Sequence, residues 1–246
     1  MEITLDLLLK GKATVIKGRE FLPTKDYVEE FIKTMSKFTD KFIVNVTLPT
    51  QLTLTNKEED VTFNKVWIQA IIPGVENLKE VINLIYVLDA KKPCYKVFRT
   101  YSEEGCHVAF REDWMFSGEI KEEPFKLPIK ELMAIENNVP IIITKMRKTF
   151  LDDKQKYDLL GKLVEKSMLF ENDSISGKVK LSPTTVIKAH EMIYLDSTSK
   201  LYKKDQEATV CDLYTAFLTV IRDGYKKDPV NIFEKSILAA QILNII

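Results

Sequence analysis

The sequence predicts an α+β protein, with an antiparallel sheet in the N-terminal half and a mostly helical C-terminal half packed on it. Three observations carry this expectation. Apolar residues alternate with period two between Lys41 and Ile72, and they recur at helical spacing beyond Ile129. Between the two regimes lies the charged, proline-containing run 121–128. The expected organisation is therefore a mixed sheet region with one or two helices over 1–120 and a helical region over 121–246, together forming one continuous domain.

The elements follow in order. Residues 12–17 are rich in β-branched side chains and suggest a short strand. Pro23 and Thr24 then introduce a helix over 25–38. Thr24 can cap it, Asp26 sits in the first turn, and Tyr27, Val28, Phe31, Ile32, Met35 and Phe38 form one apolar stripe. Strands are expected at 42–47, 51–55 and 61–72, with the polar turn 56–60 between the last two, so that a meander has one face covered. Residues 75–90 read as a helical start from Val75 passing into strand character around Ile82 to Leu88, and 95–101 reads as a further strand.

Beyond the boundary, 129–150 and 154–170 carry helical spacing, and Leu159, Leu160, Leu163, Val164 and Met168 line the second. The run 171–177 reads as a turn-rich loop. Ser182 and Pro183 open the next helix as cap and first-turn residue. Thr209 begins the clearest helix, in which Val210, Leu213, Tyr214, Phe217 and Ile221 share a face and Gly224 is the stop signal. A final apolar helix, from Ile232 to Ile246, is expected to dock on the core or to serve as a homo-oligomer contact.

Composition limits the function classes. With 45% apolar residues among 246, the chain can bury a substantial core. Lys and Arg together equal Asp and Glu at 36 each, so net charge neither requires nor excludes a polyanionic partner. Three cysteines, no secretory-type N-terminus and no uninterrupted apolar run of about 20 residues lead to the expectation of a soluble protein in a reducing cytoplasm, with no membrane partner.

The motifs that carry chemistry are sparse. Cys94, Cys106, His107 and His190 lack the close Cys-Cys or His-His spacing of structural zinc sites, so no metal is expected. Cys106 follows Gly105 and could act as a thiol nucleophile if His107 or His190 lay beside it, which is the enzymatic alternative. The eight glycines are too dispersed for a phosphate-cradling loop, and no cofactor is expected. Paired acids such as Glu112-Asp113 and Asp152-Asp153 sit in turns or at helix starts, where solvent suffices for them.

The richest segment is 94–114. There Arg99, Tyr101, His107, Phe110, Arg111 and Trp114 interleave cations with aromatic rings, the chemistry of single-stranded nucleic-acid grooves. The competing reading places Phe98, Phe110 and Trp114 in the core and pairs the arginines with Glu103, Glu104, Glu112 or Asp113. Lys145, Arg147 and Lys148 form the nearest basic group elsewhere that could support such a groove.

The stretch Val97-Phe-Arg-Thr-Tyr-Ser-Glu-Glu-Gly-Cys-His-Val-Ala109 resembles the arginine-then-cysteine segment of a widespread phage- and plasmid-encoded family of domains of unknown function. The order of features is similar too: an N-terminal strand and helix, a strand pair ending near Trp67 to Pro73, and a late helix like that from Thr209 to Phe217. His107-Val108 stands where that family has Asn-Gly. The resemblance implies a phage or mobile-element origin and carries no catalytic residue with it.

The expected function is thus a non-enzymatic phage or mobile-element protein that binds single-stranded nucleic acid or a nucleoprotein complex. Its expected site is Arg99, Tyr101, His107, Arg111 and Trp114, with Lys145, Arg147 and Lys148. The alternative is a virion component or host-defence binder acting through contacts with phage or host proteins.

Overall fold

A computed structural model describes residues 14–16, 19–21, 24–47, 65–74, 78–87, 94–103, 106–119, 127–151, 156–174, 177–203, 207–225 and 229–245. The α+β class holds: an antiparallel sheet dominates the first half and helices dominate the second. The chain forms two compact units. One comprises 1–100 with 113–135, the other 101–112 with 136–246, so the chain exchanges between units three times rather than once near 120.

In the first unit, β1 (Thr14–Ile16) and β2 (Arg19–Phe21) make an antiparallel pair, followed by α1 (Thr24–Met35). The sheet is built from β3 (Phe42–Thr47), β4 (Lys65–Ile72), β5 (Lys79–Val87) and β6 (Cys94–Glu103) in that spatial order, with β8 (Met115–Glu119) beside β6. Strand β7 (Cys106–Val108) pairs with the end of β6, from Tyr101 to Glu103, and these residues belong to the second unit. The expected helical start at Val75 lies outside the described residues, and the strand expected from Ile82 begins earlier, at Lys79, with 80–87 paired residue by residue with β4. The expected strand 51–55 and turn 56–60 lie outside the described residues.

Helix α1 forms for the reason its stripe gives. Tyr27, Val28, Phe31 and Met35 are fully buried while Glu29, Lys33 and Lys37 face solvent. Phe38 lies beyond the helix and is about half exposed, so it is not part of the buried stripe. The Tyr27 ring meets Tyr86 edge-on at 4.8 Å and lies 6.0 Å from Tyr95, and burying each such ring contributes about 1.5–3 kcal/mol. Gly118 stands opposite Tyr95 in the β6/β8 register, and a Cβ there would fall 2.7 Å from the Tyr95 ring, so only glycine lets the ring lie across the strand. Short helix α2 (Ile129–Ala134) ends this unit.

A polar node runs through the sheet. Asn83 faces Gln69 across the β4/β5 ladder. Its Oδ1 accepts from Trp67 Nε1 at 3.0 Å and from Gln69 Nε2 at 3.4 Å. Its Nδ2 donates to Thr100 Oγ1 at 3.1 Å and to Phe98 O at 3.3 Å. One buried amide thus joins three strands and specifies their alignment, since a register slip would strand its hydrogen bonds.

The second unit contains α3 (Val139–Lys148), α4 (Lys156–Leu169), the hairpin β9 (Glu171–Ser174) and β10 (Gly177–Lys180), α5 (Pro183–Tyr194), α6 (Val210–Gly224) and α7 (Pro229–Ile242). Three expectations change here. The helix expected over 129–150 is two, because the chain leaves helical geometry at Ile135 and restarts at Asn138 with Pro140 in the first turn. The expected loop at 171–177 begins a hairpin with four paired positions, reinforced by Lys180 Nζ to Glu171 Oε2 at 2.7 Å. The oligomer role given to Ile232–Ile246 has no apolar face to rest on, because every residue from Ile232 to Ala240 is buried within the chain and α7 is core. Among the described residues no helix is long and apolar enough to cross a membrane.

Replacing Asn83 with Leu is expected to destabilise the protein by about 1–3 kcal/mol, because Trp67 and Gln69 lose their buried acceptor. Urea denaturation measures this, and an unchanged midpoint would contradict the role of the node.

Candidate functional site

Three of the sequence-predicted residues, Arg99, Tyr101 and Trp114, are buried. Arg99 is 4% exposed; its Nε lies 2.7 Å from Glu80 Oε1 and its Nη1 donates to Ile135 O at 2.8 Å, which ties β6 to β5 and to the end of α2. Trp114 is fully buried and Tyr101 is 2% exposed, so neither ring offers a face to a base. Phe110 is buried as well. Arg111 is half-buried. His107 and Cys106 are adjacent on β7, opposite Ser102 and Glu103 in the ladder. Arg99 and Trp114 belong to the first unit, whereas Tyr101, His107 and Arg111 belong to the second. Burial therefore gives the aromatic part of the 94–114 segment to the core, the competing reading for that stretch.

Lys145, Arg147 and Lys148 behave differently. All three are exposed in the last turn of α3, where cations complement the negative end of the helix dipole. Arg147 lines a cleft of ≈ 560 Å³ within the second unit. The floor is apolar, made by Val108, Phe110, Ile143, Met146 and Leu218. Among the described residues of the lining, Lys200 and Arg222 join Arg147 as cations and Asp196 is the carboxylate, while Asp223 Oδ1, next in sequence, lies 3.5 Å from Arg222 Nε.

Each part is placed by local chemistry. After α3, Leu151 N donates to Ala208 O at 2.8 Å and Val210 N to Thr149 O at 2.9 Å, so the chain leaving α3 pairs with the chain entering α6. Thr209 caps α6 reciprocally: its Oγ1 accepts from Asp212 N at 3.2 Å, while Asp212 Oδ2 accepts from Thr209 N at 2.8 Å. Burial alone would raise the Asp212 carboxyl, but the Thr209 bonds and Lys203, whose Nζ lies 3.1 Å from Oδ1, outweigh it and hold it below the usual range. That pair anchors the loop carrying Lys200.

The loop is also internally fixed. Asp196 Oδ1 accepts from Thr198 Oγ1 at 2.6 Å and from Thr198 N at 2.9 Å, which lowers its pKa and keeps it anionic. Leu201 N donates to Ser199 Oγ at 3.1 Å and Lys203 N to Ile193 O at 2.9 Å. On the floor, the Phe110 and Tyr214 rings stack at 5.4 Å, and Tyr214 Oη donates to Ala109 O at 3.1 Å. The two rings thus satisfy each other, leaving aliphatic side chains and hydroxyls as the contact chemistry.

A second, shallower cleft of ≈ 890 Å³ lies between α5 and the end of α6. Among its described lining residues Lys188 stands with Glu191, Asp196 and Asp223, so carboxylates outnumber cations there.

His190 is fully buried beneath α4. Its Nε2 lies 2.9 Å from Lys156 O, an acceptor, so Nε2 carries the proton. Tyr194 lies 4.8 Å away and Tyr157 6.3 Å, ring to ring. Among the described residues no group of three His, Cys, Asp or Glu side chains could hold a metal ion. Comparison with models of protein families, with curated proteins and with solved structures finds no match to this chain.

Sequence reasoning reached Arg147 but missed Lys200 and Arg222. Neither is directly adjacent to another basic residue, and only the fold gathers them with Arg147.

Burial is the largest influence on His190 and pushes its pKa below the ordinary 6.5, against the Lys156 carbonyl bond that raises it. The unfolded chain therefore binds the proton first, and the His190 contribution to stability is full above pH 6.5 and falls as pH drops below it. Urea melts from neutral to mildly acidic pH are expected to show this loss, with a shallower slope for His190→Gln. Equal slopes would contradict it.

Proposed function

We propose that this chain binds single-stranded nucleic acid on its helical unit, with the strand's phosphates along Arg147, Lys200 and Arg222 and its less polar sugar or base surface against the floor of the cleft. The observation that carries this reading is the charge balance of that cleft. Among the described residues Arg147, Lys200 and Arg222 line it with Asp196, and with Asp223 counted beside Arg222 the cations still exceed the carboxylates by one. Cations fixed around an apolar trough suit a flexible anionic chain. Lys145 and Lys148, exposed beside Arg147 at the same helix end, extend the cationic edge beyond the cleft.

This reading keeps the partner expected from the sequence and moves the site. Tyr101 and Trp114 leave it because they are buried, and Arg99 leaves it because it is paired with Glu80. A phage or mobile-element setting rests on the resemblance of the segment from Val97 to Ala109.

Fluorescence anisotropy with labelled single-stranded DNA and RNA across a salt series tests the proposal. Affinity is expected to fall with salt, and the combined Arg147→Ala, Lys200→Ala and Arg222→Ala protein is expected to lose about 2 units of the log–log salt slope. Arg99→Ala is expected to lower stability and leave the slope unchanged, as is Lys33→Ala on α1, which serves as the charge control. Binding that is absent at low salt, or a slope indifferent to the triple substitution, would overturn the assignment.

A further inference from the structure

The cleft holds a second chemistry beside its cations. Cys211, Thr215, Leu218, Thr219 and Arg222 of its lining follow one another at helical spacing along α6, a distance of about 16 Å at 1.5 Å per residue. The trough therefore has the length for a stretch of strand and not only for one phosphate.

Between the cations, the polar side chains of the lining offer acceptors. Thr215 Oγ1 donates its hydrogen to Cys211 O at 2.8 Å, and Thr219 Oγ1 donates to Thr215 O at 2.9 Å. With those hydrogens committed, what a threonine oxygen can offer a ligand is acceptance. Asp196 takes both Thr198 bonds at Oδ1, at 2.6 and 2.9 Å. An ionised carboxylate has about four acceptor sites, so Asp196 retains capacity for a ligand. Ser199 Oγ accepts from Leu201 N at 3.1 Å and keeps a hydrogen of its own.

These acceptors choose between sugars. Phosphodiester oxygens suit Arg147, Lys200 and Arg222 but have no hydrogen to give Asp196 or Thr215. A deoxyribose backbone would take water from those acceptors without replacing its hydrogen bonds, and the carboxylate would repel its phosphates. A ribose backbone carries a hydroxyl donor at every nucleotide, beside each phosphate and whatever the base sequence. Base amines depend on sequence and do not recur in this way. We infer that the strand bound in this cleft is RNA, with its phosphates on Arg147, Lys200 and Arg222 and its 2′-hydroxyls donating to Asp196 and to the Thr215 hydroxyl. The inference rests on the nucleic-acid reading of the cleft and adds which sugar it takes. It also accounts for a carboxylate among phosphate-binding cations.

Competition anisotropy of the full chain with a labelled RNA tests this, using unlabelled RNA, DNA and 2′-O-methyl RNA of one sequence as competitors. The methylated strand keeps the ribose oxygen and loses its hydrogen. DNA and 2′-O-methyl RNA are each expected to bind at least about tenfold more weakly than RNA, the effect of one hydrogen bond to a charged group. In the combined Asp196→Asn and Thr215→Val protein, checked for a native circular dichroism spectrum, the RNA preference is expected to shrink. The competitor series needs no variant, so it decides the matter even if the double variant does not fold. DNA or 2′-O-methyl RNA competing as well as RNA would overturn the inference and leave the cleft as a nucleic-acid site. An RNA preference unchanged in the folded double variant would also overturn it. Absence of binding to any strand at low salt would overturn the underlying reading, and this inference with it.

Discussion

The helical unit depends on one constraint: α6 must be buried along most of its length, and its first turn must nevertheless satisfy its free N–H groups. Leu213, Tyr214, Ala216, Phe217, Leu218 and Ile221 are buried against neighbouring elements, among them α3, α5, α7 and β7. That commits the helix axis. The reciprocal cap between Thr209 and Asp212 then commits its start, and such a cap contributes on the order of 1 kcal/mol. Because Asp212 also holds Lys203, the same carboxylate that starts the helix fixes the far end of the loop bearing Lys200. Arg222 follows from the length of the helix, and Tyr214 ties its middle to Ala109 and Ser236. The cleft is therefore a consequence of how α6 is held, with its cations delivered by three separate segments.

Much of the fold was legible because it rests on local periodicity. The alternation at 42–47 and 65–72, the stripe of α1, Ser182 as cap, and the Thr209 start with the Gly224 stop all appear at their expected places. What was not legible depends on partners distant in sequence. The strand read from Ile82 starts three residues earlier because β4 offers a ladder there, and β9 and β10 form a hairpin although the first is made of Glu, Asn, Asp and Ser, residues poor in strand propensity. The burial of 232–240 on every side could not be told from an exposed apolar face, since periodicity shows how apolar a helix is and not what surrounds it.

The site was less legible than the fold, for a related reason. Interleaved arginines and aromatics in 94–114 have the composition of a groove, but composition does not distinguish a ring waiting for a base from one already packed. Trp114 is the clear case, fully buried despite its position among charged residues. Arg99 is another: its guanidinium is spent on Glu80 and the Ile135 carbonyl, and it holds the sheet together from inside. Arg147 stood out only because two lysines accompany it, while Lys200 and Arg222 needed the fold to bring them to it.

Hydrogen–deuterium exchange of the chain with and without a short single-stranded oligonucleotide at low salt tests the central claim most directly, because it reports where the ligand lies and not only that it binds. The account predicts added protection at the end of α3, in the loop 196–203 and in the last turn of α6, with the strands of the first unit unchanged. Protection confined to β4, β5 and β6 would contradict it and return the site to the sheet.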